Sequence, residues 1–135
     1  MPTWDDVRRA ALELPGASET SSRGLLRWTV KEKGFAWERP LRTADREALG
    51  DDAPDGPVLG VRVADVGVKE SLVSTEPEVY FTTPHFDGYP AVLVRLERIP
   101  GPELVELVIE AWLASAPKRM ARAYLDAHQP DGEKT

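Results

Sequence analysis

Thr82, Thr83, Pro84, His85, Phe86, Asp87, Gly88, Tyr89 and Pro90 place hydroxyls, an imidazole, a carboxylate and two aromatic rings in nine consecutive positions. Those residue types could build a hydrolytic triad. A triad, however, needs a nucleophile on one ring nitrogen, a carboxylate on the other and an oxyanion hole, and residues two apart in a loop seldom meet all three. The chain also lacks a Gly-x-Ser-x-Gly elbow. Two other readings remain for this segment. In one, His85 and Asp87 shape a tight turn while Phe86 and Tyr89 pack. In the other, Thr83, His85, Phe86, Asp87 and Tyr89 line a pocket for a small molecule or a protein against a neighbouring sheet. His85 and His128 are the only imidazoles and there is no cysteine, so no transition-metal set is expected. Asp51, Asp52 and Asp55 lack calcium-loop spacing, and no glycine-rich phosphate loop precedes a helix. The expectation is a protein that is not an enzyme and holds no cofactor.

The second candidate chemistry is electrostatic. Between Ser21 and Arg42 stand Arg23, Arg27, Lys31, Lys33, Arg39 and Arg42 against Glu32 and Glu38, a local balance of +4. Lys118, Arg119 and Arg122 form another cluster, with no acid between Glu110 and Asp126. If the fold brings the two clusters together, they make a cationic surface for a few phosphates, and such binding is salt-sensitive. The competing reading is a solvated hairpin and helix face with ordinary surface ion pairs. Trp4, Trp28, Trp37 and Trp112 fall on inward stripes and read as core. One of them exposed beside the basic hairpin would make base stacking an alternative.

The whole chain is acidic, with 17 Lys and Arg against 23 Asp and Glu and a formal net charge of −6 over 135 residues. That balance argues against coating nucleic acid by bulk charge and leaves room only for a local patch. The length suits one core and one domain over residues 1–128, with a frayed tail over 129–135. The absence of cysteine removes any dependence on an oxidising compartment. No apolar run approaches the ~20 residues of a membrane span, and the first residues lack the pattern of a signal peptide. A cytoplasmic protein, monomer or homodimer, is expected.

The elements that must position these groups follow from periodicity. Thr3 and Asp6 form a capping box, after which Trp4, Val7, Ala10, Ala11 and Leu14 recur at helical spacing until Pro15 and Gly16. From Leu25 the period becomes two, giving a hairpin over Leu26, Trp28 and Val30 and then Phe35 to Glu38. Asp51 to Pro57 reads as an exposed loop and Val58 to Val63 as a strand. Asp65 caps a helix to about Ser74 with Val68, Leu72 and Val73 inward. Val79 to Phe81 and Ala91 to Leu96 are two more strands. Pro102 opens a long helix that Pro117 interrupts near Ser115, and a last helix runs to about Ala127. The order α-β-β-β-α-β-β-α(α) predicts an α+β fold: a two-layer sandwich with a mainly antiparallel five-stranded sheet and helices packed on one face.

Three stretches resemble one known family. The start Val7 to Gly16 with Ala11, Leu12, Leu14, Pro15 and Gly16, the hairpin Trp28 to Ala36, and above all Phe81 to Val94 together look like the MmcQ/YjbR family. The closing residues Glu110, Ala111, Trp112, Ala116, Pro117, Lys118 and Arg119 fit its actinobacterial-type members, which implies a bacterial protein. The resemblance implies an α+β domain similar to CyaY-like proteins and type III secretion chaperones. Members are commonly labelled DNA-binding, and the family offers no catalytic set to carry over. What it implies here is weak, salt-sensitive DNA binding with little sequence readout. Arg23, Arg27, Lys31, Lys33, Lys118, Arg119 and Arg122 would lie on the phosphates.

Overall fold

A computed structural model describes residues 2–128. Helix α1 (Trp4–Leu12) starts where the Asp6 carboxylate accepts from the Thr3 amide at 2.7 Å. It is followed by strands β1 (Ala17–Ser22), β2 (Leu25–Val30) and β3 (Lys33–Glu38), a short helix α2 (Thr43–Leu49), and β4 (Val58–Arg62). Helix α3 (Val66–Thr75) is capped by Asp65, whose carboxylate accepts from the Val68 amide at 2.9 Å. Strands β5 (Tyr80–Phe81) and β6 (Ala91–Arg95) and helices α4 (Gly101–Ser115) and α5 (Lys118–Ala127) complete the chain. The sheet is antiparallel throughout, in the order β1-β2-β3-β4-β6-β5.

The fold is the α+β sandwich that the periodicity predicts, with six strands rather than five. The additional strand is β1, Ala-Ser-Glu-Thr-Ser-Ser, which has no apolar alternation. Pairing with β2 makes it a strand: Ser22 faces Leu25 across the two-residue turn Arg23–Gly24, and both turn residues have positive φ (+54° and +80°). That backbone matches the twist of a hairpin. A second such turn, Lys31–Glu32 at φ +49° and +70°, joins β2 to β3. Phe35 is the extra residue of a bulge in β3, between the pairs Trp28–Ala36 and Thr29–Gly34. Helix α2 is the other element that periodicity does not reveal, in the acidic stretch after Arg42. The expected tail at 129–135 lies outside the described residues.

The two faces of the sheet differ. Trp28, Val30, Leu59, Val61, Val92 and Val94 point to one side, where Val7 and Ala11 of α1 and Leu104, Val108, Ala111 and Trp112 of α4 close the main core. Each fully buried valine or leucine among them contributes about 1.5–3 kcal/mol. Leu72 and Val73 of α3 and Met120 and Tyr124 of α5 pack on that side too. The other face carries a smaller cluster of Val58, Phe81, Phe86, Ala91 and Leu93, joined by Trp37, Leu41 and Leu49. These residues belong mostly to β4, β5 and β6, so the loop after β5 and helix α2 cover only that half. Over β1 and the start of β2 the second face is open: Ser18, Thr20, Ser22 and Arg27 are exposed, while Thr29 farther along β2 is buried.

In α3 the expected inward set needs correction. Val68 is 39% exposed and Lys69 is buried at 5%. Turning an ammonium inward would be costly without partners. Lys69 Nζ finds them, donating to the carbonyls of Phe86 and, at 3.0 Å, Tyr89.

Candidate functional site

The step between the covered and bare halves of the second face is a groove of about 820 Å³. One wall and the floor come from the hairpin, through Arg23, Leu25, Arg27, Gly34 and Trp37. The other wall is the loop after β5, through His85, Phe86, Asp87 and Tyr89.

The loop wall is held from behind. Pro84–Phe86 form one turn of 3₁₀ helix, which buries Phe86 and leaves His85 and Asp87 exposed. Below it Arg39 and Asp45 make an ion pair at 3.2 Å with both side chains nearly out of solvent. Burial pushes the Asp45 carboxyl upward, but the Arg42 amide, which donates to it at 2.9 Å, and the Arg39 guanidinium outweigh this and hold its pKa below the ordinary value. Arg39 also lies over the Phe86 ring, 5.4 Å from its centroid. Lys69 props the same loop, and burial lowers its pKa while Asp87 and Glu70 oppose the shift. Arg62 stacks on Tyr89 at 5.2 Å and donates to its hydroxyl at 2.9 Å. The aromatic row Trp37–Phe86–Tyr89, with centroids 6.5 and 6.3 Å apart, is thus backed by cations.

Of the pocket residues expected from sequence, His85, Phe86, Asp87 and Tyr89 line the groove, with Phe86 buried and Tyr89 43% exposed. Thr83 does not. It is buried under the loop, its hydroxyl beside the Asp45 carboxylate.

The cationic set divides in two. Arg23 and Arg27 reach the groove and are exposed, and among the described residues neither has an ion-pair partner. Lys31 lies in the turn between β2 and β3 and Lys33 opens β3 beside Gly34, but neither lines the groove. Met120 of α5 rests on Gly16, beside Val30. Lys118, Arg119 and Arg122 are exposed on α5, on the helix side of the sheet. Of the seven cations expected on phosphate, Arg23 and Arg27 line the groove and the other five do not.

Sequence reasoning missed Arg39, Asp45, Arg62 and Lys69. Arg39 was visible as part of the basic run, but nothing local marks the other three. Trp37 reads as core and is instead half-buried at the groove, whereas Trp28 and Trp112 are fully buried. No group of three or more metal-ligating side chains occurs among the described residues, and no described helix is long and apolar enough to cross a membrane.

An antiparallel six-stranded sheet with α1 and α4 closing one face and a loop-walled groove on the other defines a small α+β sandwich with one open groove. The YjbR family model matches residues 12–114, so the chain belongs to the YjbR family. It is 55% identical over 128 residues to Uncharacterized protein Mb2600 of Mycobacterium bovis, covering 93% of this chain and 97% of that one. The same figures hold for Uncharacterized protein Rv2570 of Mycobacterium tuberculosis. The crystal structure of Deinococcus radiodurans protein DR2400, with family-model domain DUF419, superposes with a TM-score of 0.63 at 25% identity. The match covers 84% of this chain and 78% of that one.

Proposed function

We propose that this protein is a non-catalytic nucleic-acid-binding protein of the YjbR family that holds the phosphate backbone in the groove beside His85. The supporting observation is that Arg23 and Arg27, both without acidic partners, share that groove with the aromatic row Trp37–Phe86–Tyr89. Arginines neutralise phosphates by releasing counterions, and the rings exclude water beside them. The α5 cluster, on the other side of the sheet, plays no part. The net charge of −6 keeps the affinity low and its salt dependence shallow. With two phosphates engaged, log K against log salt falls with a slope of about −1.4 for a single strand.

Fluorescence anisotropy of labelled single-stranded and duplex DNA, at low and at physiological salt, tests this. Arg23→Glu with Arg27→Glu removes binding, while Lys118→Glu with Arg119→Glu and Arg122→Glu leaves it within about twofold. The opposite pattern moves the site to α5, and no binding at low salt ends the nucleic-acid reading. The concavity beside an exposed His85 and Tyr89 favours one second reading, a small anionic ligand in place of a strand. Equal affinity for a mononucleotide and a longer strand would select it.

A further inference from the structure

Two glycines shape the groove floor. Arg27 and Trp37 are register partners across β2 and β3, side by side on the open face. The Arg27 guanidinium lies flat over Gly34: a Cβ there would stand 2.6 Å from its Nε and 2.8 Å from Nη2. The Trp37 indole lies flat over Gly60 of β4, where a Cβ would run into Nε1 and stand 2.5 Å from Cε2. Neither glycine has positive φ, so what matters at both is the missing side chain. Any larger residue would stand the planar groups up and close the floor.

These groups are also left open to a ligand. Trp28 donates its indole N–H to Glu19 at 2.9 Å and Trp112 donates to the Pro15 carbonyl at 3.0 Å. Trp37 Nε1 and the Arg27 guanidinium have no hydrogen-bond partner among the described residues. Their lower faces rest on backbone and both groups line the groove, with the Phe86 ring 6.5 Å from Trp37 and tilted 32° to it.

We propose that the Arg27–Trp37 platform over Gly34 and Gly60 seats one unpaired nucleobase, stacked flat, while Arg23 and the outer edge of the Arg27 guanidinium hold neighbouring phosphates. This rests on the nucleic-acid reading above and names what that groove takes: a single strand. A base inside a duplex already has both faces stacked and cannot lie on the platform without being flipped out. Aromatic and guanidinium planes accept any base, so the site selects for an unpaired base and reads little sequence.

The test compares a short deoxyadenosine strand, an abasic strand with the same number of phosphates, and a duplex, by anisotropy at low salt. The deoxyadenosine strand binds at least about tenfold more tightly than the other two. Trp37→Leu brings the strand down to the abasic level without changing abasic affinity. Gly34→Ala keeps every charge and ring, yet loosens the strand severalfold because its methyl group lifts Arg27. It alters an accessible strand position, so it remains a test should Trp37→Leu fail to fold. Equal affinity of the abasic and deoxyadenosine strands overturns the platform and leaves phosphate binding standing. If no strand of any kind binds at low salt, both readings fall.

Discussion

Replacing Asp45 by asparagine removes the ion pair beneath the groove while keeping the side chain's shape. The pair is 3.2 Å apart with 11% and 6% of its two side chains exposed, so solvent screens it little. At an effective dielectric of 20, charges at that distance attract by about 5 kcal/mol before desolvation is counted. Removing one partner of a buried pair costs about 3–5 kcal/mol, because the surviving charge stays buried without compensation. Asparagine can still accept from the Arg42 amide, so the lower end applies and Asp45→Asn should cost about 3 kcal/mol. With a urea slope of about 1.5 kcal/mol/M, the denaturation midpoint falls by about 2 M. The double variant Arg39→Met with Asp45→Leu should recover most of the loss, since it buries no charge. A loss below about 1 kcal/mol for Asp45→Asn, or a double variant less stable than the single one, would refute the reasoning: the pair would then be solvated and would not hold the loop wall.

The same carboxylate sets an acid limit. Its folded pKa lies below the ordinary aspartate value, so its stabilisation is fully present above that ordinary value and is lost as pH falls through the folded one. Urea titrations from pH 6 to 2 should show this limb in the native protein and a flatter one in Asp45→Asn. Lys69→Met leaves the Phe86 and Tyr89 carbonyls without their donor and should cost about 1–3 kcal/mol. Amide hydrogen exchange should then speed up in the loop over 84–90 before it does elsewhere. Gly60→Ala should displace Trp37 and cost about 1–3 kcal/mol. A red-shifted tryptophan emission, absent when Trp37→Leu is combined with it, reports the displacement. Lys31→Asn with Glu32→Gly gives the second hairpin turn residues suited to positive φ. Thermal unfolding should show a gain of about 0.5–1 kcal/mol.

Periodicity reveals elements whose own residues carry the pattern. Trp28 and Val30, Val92 and Val94, and Leu104, Val108 and Ala111 face the core that their spacing predicts, and Thr3, Asp65 and Pro102 mark helix starts. It fails where pairing or ion contacts decide. Ser18, Thr20 and Ser22 bury nothing, and β1 is a strand because the Arg23–Gly24 turn folds it onto β2. Asp45 of α2 is buried against Arg39, whereas an acidic run reads as solvated. Val68, expected inward, is exposed and Lys69 is buried instead, because the carbonyls of Phe86 and Tyr89, about twenty residues downstream, satisfy the ammonium.

The candidate site divides along the same line. Residue types and local spacing were enough to single out the His85 loop and the basic hairpin, since both signals lie within a few consecutive positions. Their union in one groove depends on strand order: β6 lies between β4 and β5, so the loop returns across the second face and stops opposite β3. That Lys118, Arg119 and Arg122 do not line this groove depends on where α5 packs, with Met120 and Tyr124 against the main core. Sequence alone determined the inventory of charges, rings and element starts, because each is a property of a residue and its near neighbours. Only the tertiary structure decided which of them share a surface, because a sheet has two faces and long-range packing alone assigns each group to one.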